Sequence, residues 1–213
     1  TATGAELQRF DGLTSDISPD GRLIVLGRGG WDTQPNVAVI VDLATGEEIQ
    51  QFSRGLAGVL RSVFSPSGAE VLLSSSNNTV SLWNVATGER IRTFTGNTDA
   101  MPFLAFSPDG SQVVGGGRDG GVVVWDTATG ELVHRLEGHT DFLASVSFST
   151  DGQRILTSAF DNSVIVWDAA TGEILHRFTD HSAAGFGAVF SPDDRMVISG
   201  SADNTLMVWD VES

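Results

Sequence analysis

Cysteine and tyrosine are absent from this chain of 213 residues, and basic residues are scarce, with 12 Lys and Arg against 27 Asp and Glu. Without cysteine there are neither disulfides nor thiolate metal sites, so the fold must stand on its core alone. That lack leaves the compartment open, with the cytoplasm as the favoured expectation. A formal charge of −15 repels a phosphate backbone, and no basic stripe offsets it, so nucleic acid is excluded as an expected partner. No apolar run reaches the length of a membrane-spanning helix, and the opening residues TATGAELQRF lack the basic and apolar regions of a signal peptide, so no membrane insertion is expected. The missing initiator Met suggests a processed, trimmed or excerpted chain. What the chain does have is 40% apolar residues and 25 glycines, with Val, Ile, Thr and Trp in place of helix formers. That composition points to packed strands.

A period of 42 residues organises the chain. Trp83, Trp125, Trp167 and Trp209 recur at that spacing, with Val41 in the same place one period earlier. Asp42, Asn84, Asp126, Asp168 and Asp210 follow them. Thr-Gly pairs recur at Thr45-Gly46, Thr87-Gly88, Thr129-Gly130 and Thr171-Gly172, and Thr3-Gly4 opens the chain. A third marker is a Ser-Pro-Asp-Gly-like turn at 65–68, 107–110, 149–152 and 191–194. Each period holds four short strands. Pro, Asp and Gly suit the first turn, and Asn77-Asn78, Asp119-Gly120, Asp161-Asn162 and Asp203-Asn204 suit a tight hairpin between the second and third strands. Four antiparallel strands per such period is the signature of a propeller blade.

In its Trp-Asp pairs, Gly138-His139, Asp180-His181 and hairpin aspartates, the whole chain resembles the WD40 family. The resemblance implies an all-β fold, a WD40 β-propeller with five four-stranded antiparallel blades in this chain, either a five-bladed ring or, as favoured, part of a seven-bladed one. Residues 1–213 are read as one propeller domain, with repeats at 3–44, 45–86, 87–128, 129–170 and 171–213. The family's usual closure would pair an outermost strand at 5–10 with the last blade. Also implied is a structural tetrad of His139, Thr157, Asp161 and Trp167 in the fourth repeat, and of His181, Ser199, Asp203 and Trp209 in the fifth. The third repeat keeps only Asp119 and Trp125, with Asn97 and Gly115 in the other places. In the second, Gly55, Leu73, Asn77 and Trp83 leave the network largely gone.

Repeat one places its turn, Ser18-Pro19-Asp20-Gly21, five residues early and lengthens the loop at 27–36 by the same amount. That loop carries Trp31-Asp32, a Trp-Asp pair out of register and the most informative departure from the repeat, because loop length varies where function is written onto a scaffold.

His134 and His176, like His139 and His181, are one period apart and so on separate blades, which speaks against a shared metal. The Glu of each TGE turn and the hairpin Asp are explained by turn chemistry and edge protection. Gly115-Gly116-Gly117 precedes no helix, so it is not a phosphate loop. No catalytic residue, cofactor or metal is assigned, and the chain is not read as an enzyme. The resemblance instead directs attention to the top face, where partners dock around the channel. Carried over position by position, that face holds Trp31, Leu60, Pro102, Arg118, Phe142, Phe160 and Phe186. Aromatics and Arg are the residue types of binding hot spots, although these phenylalanines could instead pack between blades. The expected function is a protein-interaction scaffold binding a protein or peptide through this face. The alternatives are an architectural subunit acting through its blade edges, with further blades from flanking sequence or another chain, and small-ligand or metal-dependent chemistry in the channel.

Overall fold

The computed structural model of the chain describes residues 6, 8–28 and 36–212. Among them there are strands and turns but no helix. The first sheet contains β1 (Thr14–Ile17), β2 (Leu23–Arg28), β3 (Val37–Asp42) and β4 (Glu48–Phe52). The second contains β5 (Val59–Phe64), β6 (Glu70–Ser75), β7 (Val80–Asn84) and β8 (Arg90–Phe94). The third contains β9 (Phe103–Phe106), β10 (Gln112–Gly116), β11 (Val122–Asp126) and β12 (Leu132–Leu136). The fourth contains β13 (Leu143–Phe148), β14 (Arg154–Ala159), β15 (Val164–Asp168) and β16 (Ile174–Phe178). The fifth contains β17 (Gly185–Phe190), β18 (Met196–Ser201) and β19 (Leu206–Asp210). Within each sheet the strands pair antiparallel in chain order.

Turn chemistry sets these meanders. The second residue of each hairpin turn takes a left-handed conformation, at φ 63° for Asn78, 82° for Gly120, 68° for Asn162 and 67° for Asn204. Asn and Gly reach that region most easily. In the first turn of each repeat the serine hydroxyl caps the loop: Ser107 Oγ accepts the N–H of Gln112 at 2.9 Å and donates to Asp109 at 2.6 Å.

Apolar residues on both faces of the middle strands then make the sheets stack. β7, β11 and β15 are buried along their first four residues, as expected of strands covered on both sides. Each innermost strand contacts the next, β1 with β5, β5 with β9, β9 with β13 and β13 with β17. The sheets therefore fan out from a common axis as propeller blades. Clusters of buried residues fill the spaces between them, for example Phe94, Met101 and Trp125 between the second and third sheets.

The two ends of the stack differ from the sequence expectation. The fifth sheet has three strands among the described residues, and its face is open. Leu206 is 77% and Val208 61% exposed, whereas Val164 and Val166 at the same places in the fourth sheet are buried. The outermost strand expected at 5–10 is not present as a strand in its described part, since Glu6 and Gln8–Phe10 have no regular structure. A strand needs a ladder partner, and the described residues of this segment have none; Gln8 lies against Gly46 of the first sheet, as Gln50 of β4 lies against Gly88 of the second. Phe10 packs against the cluster of Leu26, Val37, Val39 and Val41.

Candidate functional site

Two constellations stand out, a set of buried polar relays inside the blades and an aromatic cluster at the hairpin end of the stack. The relay of the fourth sheet runs from strand to loop. Trp167 Nε1 donates to Thr157 Oγ1 at 2.8 Å, Thr157 Oγ1 lies 2.7 Å from His139 Nε2, and His139 Nδ1 lies 3.0 Å from Asp161 Oδ2. An indole N–H only donates, so the threonine oxygen accepts from it. The Asp161 carboxylate only accepts, so the imidazole proton lies on Nδ1 facing it, and the bare Nε2 accepts the Thr157 hydroxyl proton.

Burial holds His139 below its ordinary pKa and outweighs the opposing pull of Asp161. Burial also opposes ionisation of Asp161, but the Ser163 hydroxyl, the N–H groups of Thr140 and Ser163, and His139 keep its carboxyl below the usual range. The pair is therefore a neutral imidazole on a carboxylate, locking the loop before β13 to the following hairpin. In the fifth sheet Trp209 Nε1 donates to Ser199 Oγ at 2.8 Å, Ser199 Oγ meets His181 Nε2 at 2.8 Å, and His181 Nδ1 meets Asp203 Oδ2 at 2.9 Å. The Thr205 hydroxyl, then His181 and the Ser182 N–H, hold Asp203 well below the usual carboxylate range.

The second and third sheets satisfy their tryptophans otherwise, in ways the sequence did not disclose. Trp83 Nε1 donates to Ser81 Oγ at 2.8 Å on its own strand, and Trp125 Nε1 to the Thr95 carbonyl at 2.7 Å. Asn77 and Asn97 turn to backbone carbonyls, of Gly55 at 3.3 Å and of Asn78 and Asp99 at 2.7 and 2.9 Å. Asp119 accepts a short bond from the Thr98 hydroxyl. His134 and His176 each bond a backbone carbonyl of the neighbouring sheet, Ala170 at 2.9 Å and Val211 at 3.1 Å. No group of three or more metal-ligating side chains gathers among the described residues.

At the hairpin end the loop before the innermost strand is tied to the hairpin of the same sheet in the second, fourth and fifth sheets. Ser76 N–H bonds Gly58 O at 2.8 Å, Phe160 N–H bonds Phe142 O at 2.8 Å and Ala202 N–H bonds Ala184 O at 2.9 Å. Just beyond, the inner-strand register slips at Leu60, at Ala144 and at Phe186. A bulge re-aims the side chain it carries. Pro102 stands at the same place in the third sheet, immediately before β9, and has no N–H to give a ladder.

Three of the sequence candidates come together here. Phe142 and Phe160 lie 5.5 Å apart between ring centroids, and the Arg118 guanidinium sits 5.4 Å from the Phe142 ring. Phe103 joins edge-on at 6.3 Å, a residue the sequence reading did not single out. Phe142 is half-buried between sheets, while Phe160 is 43% exposed and Arg118 is exposed. Exposed Asp119 and Asp141 flank them. Phe186 is 63% exposed, and its ring is not among those of the cluster. Leu60 and Pro102 are half-buried. Trp31 lies outside the described residues.

A groove lies at the opposite end of the inner strands. It measures about 650 Å³ and is lined by Ile17, Arg61, Phe106, Phe148 and the prolines of three first turns, among others.

The repeated indole places, hairpins and innermost strands match a known pattern. A family model described as WD domain, G-beta repeat matches residues 88–126, 130–168 and 172–210, more than half of the chain. The chain belongs to the WD40-repeat family. WD40 repeats generally mediate protein–protein scaffolding, and proteins built of them are typically non-enzymatic. The three WD40 matches cover the repeats that keep both Trp and Asp at the marker position, and they leave out the first two periods, where Val41 replaces Trp and Asn84 replaces Asp. No curated protein sequence matches the chain.

Proposed function

We propose that this chain is a protein-interaction scaffold that binds a peptide or a folded partner through its hairpin face, centred on Phe142 and Phe160. The observation that carries the reading is the cluster of Arg118, Phe142, Phe160 and Phe103 with one ring left 43% exposed. A large apolar ring held by neighbours and open to solvent loses little conformational entropy on binding, which is why such residues anchor interfaces. Bulges at Leu60 and Phe186 add apolar side chains along the same rim. Partners would be proteins rather than nucleic acid, given the charge of −15.

A photo-crosslinking phenylalanine analogue placed at position 160, in extract of the source organism, should trap a discrete partner that the same analogue at outer-strand position 174 does not. Phe142→Ala should weaken the trapping at least about tenfold while the melting temperature stays within about 3 °C. Equal trapping from both positions would overturn the reading.

An architectural role is the second reading, favoured by the open face of the fifth sheet. Leu206, Val208 and Phe186 are more than half exposed there, and the edge of β19 has no fourth strand among the described residues. In this reading residues 1–213 act as one unit of five repeats, and a further sheet of the same kind, from flanking sequence or another chain, covers that face.

A further inference from the structure

Successive sheets meet at their first turns through one repeated contact. The glycine at the fourth place of a turn lies under the proline at the second place of the preceding sheet's turn. A Cβ on Gly68 would stand 3.5 Å from Cδ of Pro19, one on Gly110 3.5 Å from Pro66, and one on Gly152 3.3 Å from Pro108. Between the fourth and fifth sheets both members change together, with Thr150 in the proline place and Asp194 in the glycine place.

The replacements fit each other. Asp194 keeps the left-handed backbone at φ 58° and is only 5% exposed. Its carboxylate accepts the Thr150 N–H at 3.0 and 2.9 Å on its two oxygens, the Asp151 N–H at 3.3 Å, and a short bond from the Thr150 hydroxyl. The Asp194 carbonyl accepts Arg154 Nη2 at 2.7 Å, and the same guanidinium lies 5.4 Å from the Phe190 ring of the fifth sheet. A proline at position 150 would supply neither the N–H nor the hydroxyl.

We propose that Thr150 and Asp194 are the specificity determinant of this junction, making the fifth sheet a partner for the fourth alone. Stacked on the first, second or third sheet, Asp194 would press a buried carboxylate against a proline ring and lose the second-place N–H and hydroxyl, keeping at most the third-place N–H, a costly arrangement. The three proline–glycine junctions carry no such discrimination, and near-identical repeats with interchangeable junctions invite mis-stacking during folding. One matched polar pair breaks that degeneracy by penalising the wrong neighbours.

The test compares the wild type with Thr150→Pro, Asp194→Gly and the double variant, which recreates the common junction. Melting temperature and the misassembled share after refolding from urea, read by light scattering on a sizing column, are the two measurements. Thr150→Pro should lower the melting temperature by about 4 °C and Asp194→Gly by about 2 °C. The double variant should return to within about 1 °C of the wild type yet refold with at least about twice the misassembled share. Additive losses in the double variant, its failure to fold, or refolding as clean as the wild type's would each overturn the proposal.

Discussion

The third and fourth sheets place a tryptophan at the same position and bury it equally, Trp125 at 0% and Trp167 at 1% exposure, yet they complete its hydrogen bond by different means. In the fourth, the indole N–H starts a chain of four side chains that ends on a carboxylate. In the third, the same N–H ends at once on the Thr95 carbonyl, and Gly115 leaves room for the ring. A Cβ on Gly115 would come within 2.9 Å of both Trp125 Cζ3 and Met101 Sδ. What the two sheets share is a buried indole whose donor is paired, because an unpaired buried N–H is what the fold cannot tolerate. The residues that pair it are negotiable.

The difference can be broken hardest at Thr157. Thr157→Val keeps the shape but strips the hydroxyl, leaving the Trp167 N–H and His139 Nε2 buried without partners. A loss of about 3 kcal/mol in urea unfolding is expected, and a loss below about 1 kcal/mol would show that the relay contributes little. Making the third sheet resemble the fourth should also fail. Gly115→Thr installs the residue type of the relay where the ring already stands, and about 2 kcal/mol of destabilisation is expected from overpacking.

The smallest effect is pH-dependent and belongs to the fourth sheet's relay, since Asn97 in the third cannot titrate. Since His139 is held below 6.5 in the folded state, the unfolded chain binds more protons there. Its contribution is present above pH 6.5 and is lost as the pH falls toward the depressed folded value, at no more than about 1.4 kcal/mol per pH unit. His139→Gln should flatten urea stability against pH over that window while leaving the carboxylate-driven loss below pH 4, where Asp161 and its counterparts titrate. The third sheet has Asn97 at the matching place and contributes no such slope.

The blades were legible because their markers rest on local chemistry that any repeat must satisfy: turns that need Gly or Asn, serine caps, and a large ring at a fixed place. The relay residues could be carried over for the same reason. The replacements were not legible. Ser81 sits on the same strand as Trp83, and Thr95 offers only its backbone, so neither differs in type from an ordinary strand or loop residue. The bulges at Leu60, Ala144 and Phe186 were equally silent, since a one-residue slip leaves no mark in composition. Within the candidate site, Arg118, Phe142 and Phe160 were found by position, whereas Phe103 was missed because it faces its neighbour across a sheet boundary. The strand expected at 5–10 is not seen among the described residues there, although in sequence 6–10 repeats the pattern of 48–52, and Gln8 lies against Gly46 as Gln50 of β4 lies against Gly88.

The contact between turns gives the stack a polarity. Every sheet but the fourth offers a proline on one side, and every sheet but the fifth a glycine on the other. At the two ends these halves are unmatched. Exposed Pro192 belongs to the fifth sheet's open side, and a Cβ on Gly21 of the first sheet would meet no described atom within 4 Å. Two copies meeting through the same end would set proline against proline or glycine against glycine. Any association that reuses this contact is therefore head-to-tail, and a two-fold symmetric pairing through either end cannot form it.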